Sequence, residues 1–240
     1  MNERAAAADE VDDPVDSEDS ESSEGAPRAS DGRVPGRRGR ATRQRLLECT
    51  REMLASHSYR DLRVVDIARQ AGTSPATFYQ YFPDVNTAIV ALAEEMAEQG
   101  NDLVVQLVGR SWRGAAGMKT AEAIARGYVQ LWEQNWPLMR VLDLTSAEGE
   151  HRFRAIRVRL LNQFTEALAE VIRGEQDAGR QTAELDPMAT AGVLVSMLAH
   201  VASHLYGFEH YGIHTADLER SMAHVLYTTV TGQKSPKSGS

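Results

Sequence analysis

The stretch Val65-Asp66-Ile67-Ala68-Arg69-Gln70-Ala71-Gly72-Thr73-Ser74-Pro75-Ala76-Thr77-Phe78-Tyr79-Gln80-Tyr81-Phe82-Pro83 decides the fold. Val64, Ile67, Ala68 and Ala71 recur at i, i+3, i+4 and i+7, the spacing of a helix buried along one stripe. Gly72 suits the left-handed backbone that ends such a helix without strain. Ser74 then offers a side-chain oxygen to the free N–H groups of a third helix, and Pro75 a fixed φ at its first position. Pro83 stops that helix near Phe82, and Asp84 caps a fourth, longer one reaching about Val108. Two helices joined by a glycine turn make a helix-turn-helix, whose second helix enters the major groove of DNA.

At about 100° per residue, Phe78 and Phe82 fall in one narrow arc of the third helix, so that arc faces a core. Gln80 then points almost directly away, with Ala76 and Thr77 beside it. The groove-facing surface is expected to be Ser74, Pro75, Ala76, Thr77 and Gln80, preceded by Thr73. A glutamine amide bonds adenine in bidentate fashion, and an alanine or threonine methyl meets the thymine methyl.

Outward from this stretch, a first helix is expected from about Thr42 to His57, with Leu46, Cys49 or Thr50, and Met53 on one stripe. Beyond a glycine-rich break at Gly109, Gly114 and Gly117, the periodicity predicts helices near 119–135, 137–147, 150–174, 187–208 and 216–230. Phe153, Ile156, Leu160, Phe164, Leu168 and Val171 form the strongest stripe. No segment alternates as a strand does and no repeat of 20–50 residues is present. The fold class is all-α: an N-terminal helix-turn-helix head over 42–92 and a helical body over 109–231.

The formal charge of −8 over 240 residues argues against an anionic partner until it is divided along the chain. Residues 1–31 hold eleven acidic and two basic side chains, residues 32–51 one acidic and seven basic. The first segment has few large apolar groups and reads as a disordered acidic tail. Residues 32–41 read as a flexible basic arm, and residues 232–240 as a frayed tail. From 52 to 91, Glu52, Asp61, Asp66 and Asp84 slightly outnumber Arg60, Arg63 and Arg69, so attraction to phosphate falls to the arm. Arg37, Arg38 and Arg40 are expected in the minor groove or along the backbone beside it, with Arg43 and Arg45 anchoring the first helix to phosphate. The acidic tail would compete with DNA for these arginines.

The quoted stretch closely resembles the DNA-binding signature of the TetR family of bacterial regulators, through Ile67-Ala68, Gly72, Thr77-Phe78-Tyr79 and Tyr81-Phe82. The resemblance covers about residues 42–92 and extends to the layout of a three-helix head, a long fourth helix and a divergent helical remainder. It implies phosphate contacts by Thr77, Tyr79 and Tyr81, although packing within the head is the alternative for the tyrosines. Two departures stand out. Val85 replaces the lysine that usually opens the fourth helix, and Arg63 and Val65 stand where relatives often have threonine and arginine.

The same resemblance implies an effector pocket and a homodimer formed by the last two helices. For the pocket, Tyr128, Trp132, Trp136, Met139, Phe153 and Phe164 gather aromatic and soft side chains, and core packing is an equal explanation for each. The expected effector is small and apolar or amphipathic. The stripes Leu194, Met197, Val201, Leu205, Phe208 and Leu218, Met222, Val225, Thr229 fit a core or a dimer interface equally. His200 and His204, with Glu209, His210 and His214 behind them, have a metal-like spacing, but no cysteine or defined third ligand completes it, and interface or pocket roles are expected instead. Cys49 reads as a small core residue. No nucleophile pattern, phosphate-cradling loop or cysteine cluster appears, so neither enzyme activity nor a cofactor is expected. No stretch approaches a spanning helix, the N-terminus does not read as a secretory signal, and a cytoplasmic protein is expected. The competing reading is a helical metal-binding or small-molecule-binding protein without a DNA-binding role.

Overall fold

Caps and turn residues set the boundaries of the first helices. The computed structural model describes residues 36–236, with only the backbone of 101–104. The head comprises α1 (Arg37–Ser56), a 3-10 turn (Tyr59–Asp61), α2 (Val64–Gln70) and α3 (Pro75–Tyr81). Gly72 turns with φ 69°, and the Thr77 N–H donates to Ser74 Oγ at 3.1 Å. The Thr87 N–H donates to Asp84 Oδ1 at 2.6 Å and opens α4 (Val85–Val108). Leu46, Leu47, Cys49, Ile67, Phe78 and Phe82 are buried between the head helices, against Ala88, Ile89 and Leu92 of α4.

The body continues with α5 (Gly114–Gln134), α6 (Trp136–Ala147), α7 (His151–Asp177), α8 (Pro187–Ser203), α9 (Leu205–His210) and α10 (Thr215–Thr231). Its main packings are α10 on α5, α4 on α7 and α7 on α8, so α4 belongs to both parts. One continuous apolar core runs from Leu46 to Val230. The described residues form no strand, and the fold is all-α.

Three boundaries differ from the expected ones. First, α1 begins at Arg37, so Arg37, Arg38, Arg40 and Ala41 of the arm expected over 32–41 are helical. Arginine and alanine are strong helix formers, and they outweigh the single Gly39. The Arg40 N–H already reaches the Gly36 carbonyl at 3.0 Å. Residues 32–35 and the acidic tail lie outside the described residues.

Second, Gly114 and Gly117 belong to α5 rather than to a break. A Cβ on Gly117 would clash with the Trp112 carbonyl, so this glycine permits a close approach of backbone to backbone. Thr120 Oγ1 donates to the Ser111 carbonyl at 2.8 Å across the same corner.

Third, the helix expected over 187–208 divides at His204. Ser203 Oγ donates to the His200 carbonyl at 2.9 Å and the His204 Nδ1 lies 2.9 Å from the same oxygen, so side chains occupy an acceptor the helix ladder would otherwise use.

Candidate DNA-reading head and effector-sensing body

Two buried rings orient α3. Phe78 and Phe82 lie 5.6 Å apart in the head core, which turns the opposite side of the helix outward. Ser74, Pro75, Ala76 and Gln80 are exposed there. Tyr79 is 52% exposed, its ring edge-on to Phe78 at 6.0 Å. Thr73, Thr77 and Tyr81 are half-buried: the Thr73 N–H donates to the Ala68 carbonyl at 2.9 Å, Thr77 is tied to Ser74, and Tyr81 packs against the core. An exposed stripe of small and amide side chains on a helix anchored by two phenylalanines fits a groove without moving the core.

The arginines divide into two groups. Arg37, Arg38 and Arg40 project from the first turn of α1, which contains no acidic residue and lacks a side-chain cap. Their charges add to the positive end of the helix dipole, and the local field favours an anion. Arg43 is engaged within the protein. Its side chain is 16% exposed, pairs with Glu95 of α4 at 3.3 Å and places its guanidinium 5.3 Å from the Phe82 ring centre. It fastens α1 to α3 and α4, and its charge is already compensated. Arg45 is exposed and lies 3.6 Å from Glu48 on the same helix.

The six residues expected to line one pocket lie in different surroundings. Tyr128 and Phe164 pack ring to ring at 6.0 Å, and together with Met139 they are buried in the core. Burial pushes the Tyr128 phenol up, so it stays protonated. Phe153 edges a cleft shared with Tyr59 and Glu148. Trp132 and Trp136 wall a separate cleft of about 390 Å3, with Glu133, Leu205, Tyr206 and Glu209. The aromatic stripes were therefore divided between core and surface by helix packing that no local spacing encodes.

Polar groups outside that list shape the other clefts. Asp143 pairs with Arg157 beside a cleft of about 630 Å3 that also meets Met197, His200 and His204. Burial raises the Asp143 carboxyl pKa against the pull of Arg157. The rings of His200 and His204 stack at 4.2 Å, and no group of three potential ligands assembles around them, or around His210 and His214, among the described residues. A lone aspartate inside the apolar run Val141-Leu142-Asp143-Leu144 was the available signal for this site.

Head and body meet through α4 and through a polar joint. Arg60 pairs with Glu148, Tyr59 Oη donates to Glu148 Oε2 at 3.3 Å, and Arg152 Nη1 donates to Thr87 Oγ1 at 3.4 Å. A cleft of about 320 Å3 opens beside this joint between the end of α1 and α6, lined by His57, Tyr59, Trp136 and Arg140 among others.

Family models agree with this division. Residues 46–84 match that of bacterial regulatory proteins of the tetR family, and residues 102–237 match that of the tetracyclin repressor-like C-terminal domain. The chain belongs to the TetR family. TetR-family folds among solved structures lie near it throughout. The fatty acid degradation regulator FadR from Bacillus halodurans shares 17% identity at a TM-score of 0.63, over 81% of this chain and 97% of that one. FadR from Bacillus subtilis, in complex with stearoyl-CoA, gives 17% and 0.63 over 78% and 98%. AibR, in complex with isovaleryl coenzyme A and operator DNA, gives 14% and 0.57 over 78% and 98%. As a TetR-family transcriptional regulator, this chain carries its helix-turn-helix in the head and several clefts in the body. No described helix is long and apolar enough to cross a membrane.

Proposed function

We propose that the chain is a cytoplasmic homodimeric repressor that reads a palindromic operator through α3 and releases it when an apolar or amphipathic effector occupies the body. The observation that carries this reading is the outward stripe Ser74, Pro75, Ala76 and Gln80 held over buried Phe78 and Phe82. Gln80 reads a base edge, Ala76 and Thr77 meet thymine methyls, and Thr73, Tyr79 and Tyr81 meet phosphates. Arg37, Arg38 and Arg40 supply the backbone attraction that the rest of the head lacks, with Arg45 secondary to them.

Two-fold symmetry matches half-sites about one helical turn apart, so the reading requires two heads. The long helices near the C-terminus, α8 and α10, present Val193, 69% exposed, and Val225 for the contact between copies. Acyl-CoA complexes of two structural neighbours support a ligand-responsive body. Occupation of a body cleft reaches the head through α4 and through Arg60, Tyr59 and Glu148 by favouring one of two arrangements.

The test is a gel shift with fragments of the promoter region upstream of its own coding sequence, followed by Gln80→Ala on the retained fragment. The expected loss is about 1–3 kcal/mol of discrimination at one base pair with an unchanged melting temperature. Failure to retain any fragment would overturn the reading.

A further inference from the structure

The cleft between the end of α5, the start of α6 and the α8–α9 corner has a distinct chemistry. Its walls are aromatic, formed by Trp132, Trp136 and Tyr206 over Leu205, and two carboxylates, Glu133 and Glu209, stand at its edge. No lysine, arginine or histidine lines it. Trp136 is 41% exposed and Tyr206 83%, so their ring faces are open to a ligand. Glu133 has no hydrogen-bond or ion-pair partner among the described residues, while one oxygen of Glu209 accepts from the Thr215 hydroxyl at 2.9 Å. Trp132 is 3% exposed, and its indole N–H meets no acceptor among the described residues. A buried donor without a partner is rare enough in a folded chain to require an explanation.

Aromatic faces are electronegative and attract cations, and two carboxylates reinforce the preference while repelling anions. The volume of about 390 Å3 lies within the range of small-molecule sites. We propose that this cleft binds a hydrophobic organic cation. Trp136 and Tyr206 cover its charged centre, Glu133 and Glu209 neutralise it, and the Trp132 N–H donates to an acceptor group where the ligand carries one. This deepens the effector reading above by naming a chemical class. It rests on that reading for its effect on DNA and not for binding itself. A ligand here touches α6, which also packs against α1 of the head, so the site lies one helix away from the DNA-reading unit.

The full-length protein is titrated with tetraphenylphosphonium and, as an anion of matched shape, tetraphenylborate, by calorimetry and tryptophan fluorescence. The phosphonium is expected to bind and the borate not. The double variant Glu133→Gln, Glu209→Gln is expected to weaken phosphonium binding about tenfold or more, and Trp136→Ala by a similar factor, with unchanged circular dichroism. Equal binding of both ions, or an unchanged Kd in the double glutamine variant, would reduce the site to a plain apolar cleft and overturn the proposal. Absence of phosphonium binding would overturn it too, and loss of the dimer in Tyr206→Ser would then assign the cleft to the subunit interface. Release of a retained DNA fragment is measured separately. Binding without release keeps the cation site and removes its effector role; binding by a protein that retains no DNA keeps the site and removes the regulator reading.

Discussion

Head and body solve different problems with the same element. In the head, α2 and α3 are seven residues each, and their ends, their turn and their buried face are set within a span of about 20 residues. In the body, helices of up to 27 residues pack at long sequence separation, and each cleft is the space their packing leaves. A reading surface is a local object with a periodic signature, whereas a cavity is a remainder. Core and cavity wall use the same side chains, as Tyr128 and Trp136 demonstrate.

The contrast is broken most forcefully from the head. Phe78→Ala removes the ring that orients α3 and is expected to cost about 3–5 kcal/mol. Because one apolar core runs through head and body, a melt should show a single transition lowered by this amount, with DNA retention abolished. A separate body transition left unshifted would mean that head and body fold independently despite the shared core.

Gly117→Ala is the corresponding test in the body. The added methyl meets the Trp112 carbonyl, and backbone must shift to admit it. We expect a loss of about 1–3 kcal/mol in a chemical melt followed by Trp112 fluorescence, with the head's DNA contacts retained.

A smaller effect separates the two groups of arginines. Arg38→Ala should lower the slope of log affinity against log salt by about one while leaving stability within about 0.5 kcal/mol. Arg43→Ala, which removes the pair with Glu95 and the contact with Phe82, should lower stability and leave that slope unchanged. A slope that falls equally in both would return Arg43 to the phosphate backbone.

The smallest effect concerns pH. Arg180 donates to both oxygens of Glu175, at 2.6 and 2.9 Å, and holds this carboxyl pKa below its ordinary value against the opposing effect of burial. The stabilisation is complete above the unfolded-state value of about 4.3 and is lost as pH falls through the folded-state value. Glu175→Gln should therefore lose less melting temperature than the wild type between pH 7 and pH 3.5. Equal losses would remove this pair from the acid response.

Much of the head was legible because its signals are side chains acting on the nearest backbone: Ser74 on Thr77, Asp84 on Thr87, Gly72 in its turn. The start of α1 was missed because glycine content outweighed the helix preference of Arg37, Arg38 and Arg40, and the Arg43 pair with Glu95 because the partner lies 52 residues away. Asp143 with Arg157, and Arg60 with Glu148, escaped notice for the same reason of distance. The carboxylates beside Trp132 and Trp136 are an ordinary surface pattern until α9 brings Tyr206 and Glu209 alongside them.

The helix α4, shared by both parts, sets the gain of the whole molecule. Its 24 residues make a rod about 36 Å long, packed on α7, which also reaches its N-terminal end where Arg152 donates to Thr87, and that end carries the head core. A tilt of about 5° about its C-terminal end displaces the N-terminal end by roughly 3 Å over that length. In a two-fold assembly the displacement acts on both heads, against a half-site repeat of about 34–36 Å. On the proposed dimeric reading, a small rearrangement in the body would thus put the two α3 helices out of step with the DNA.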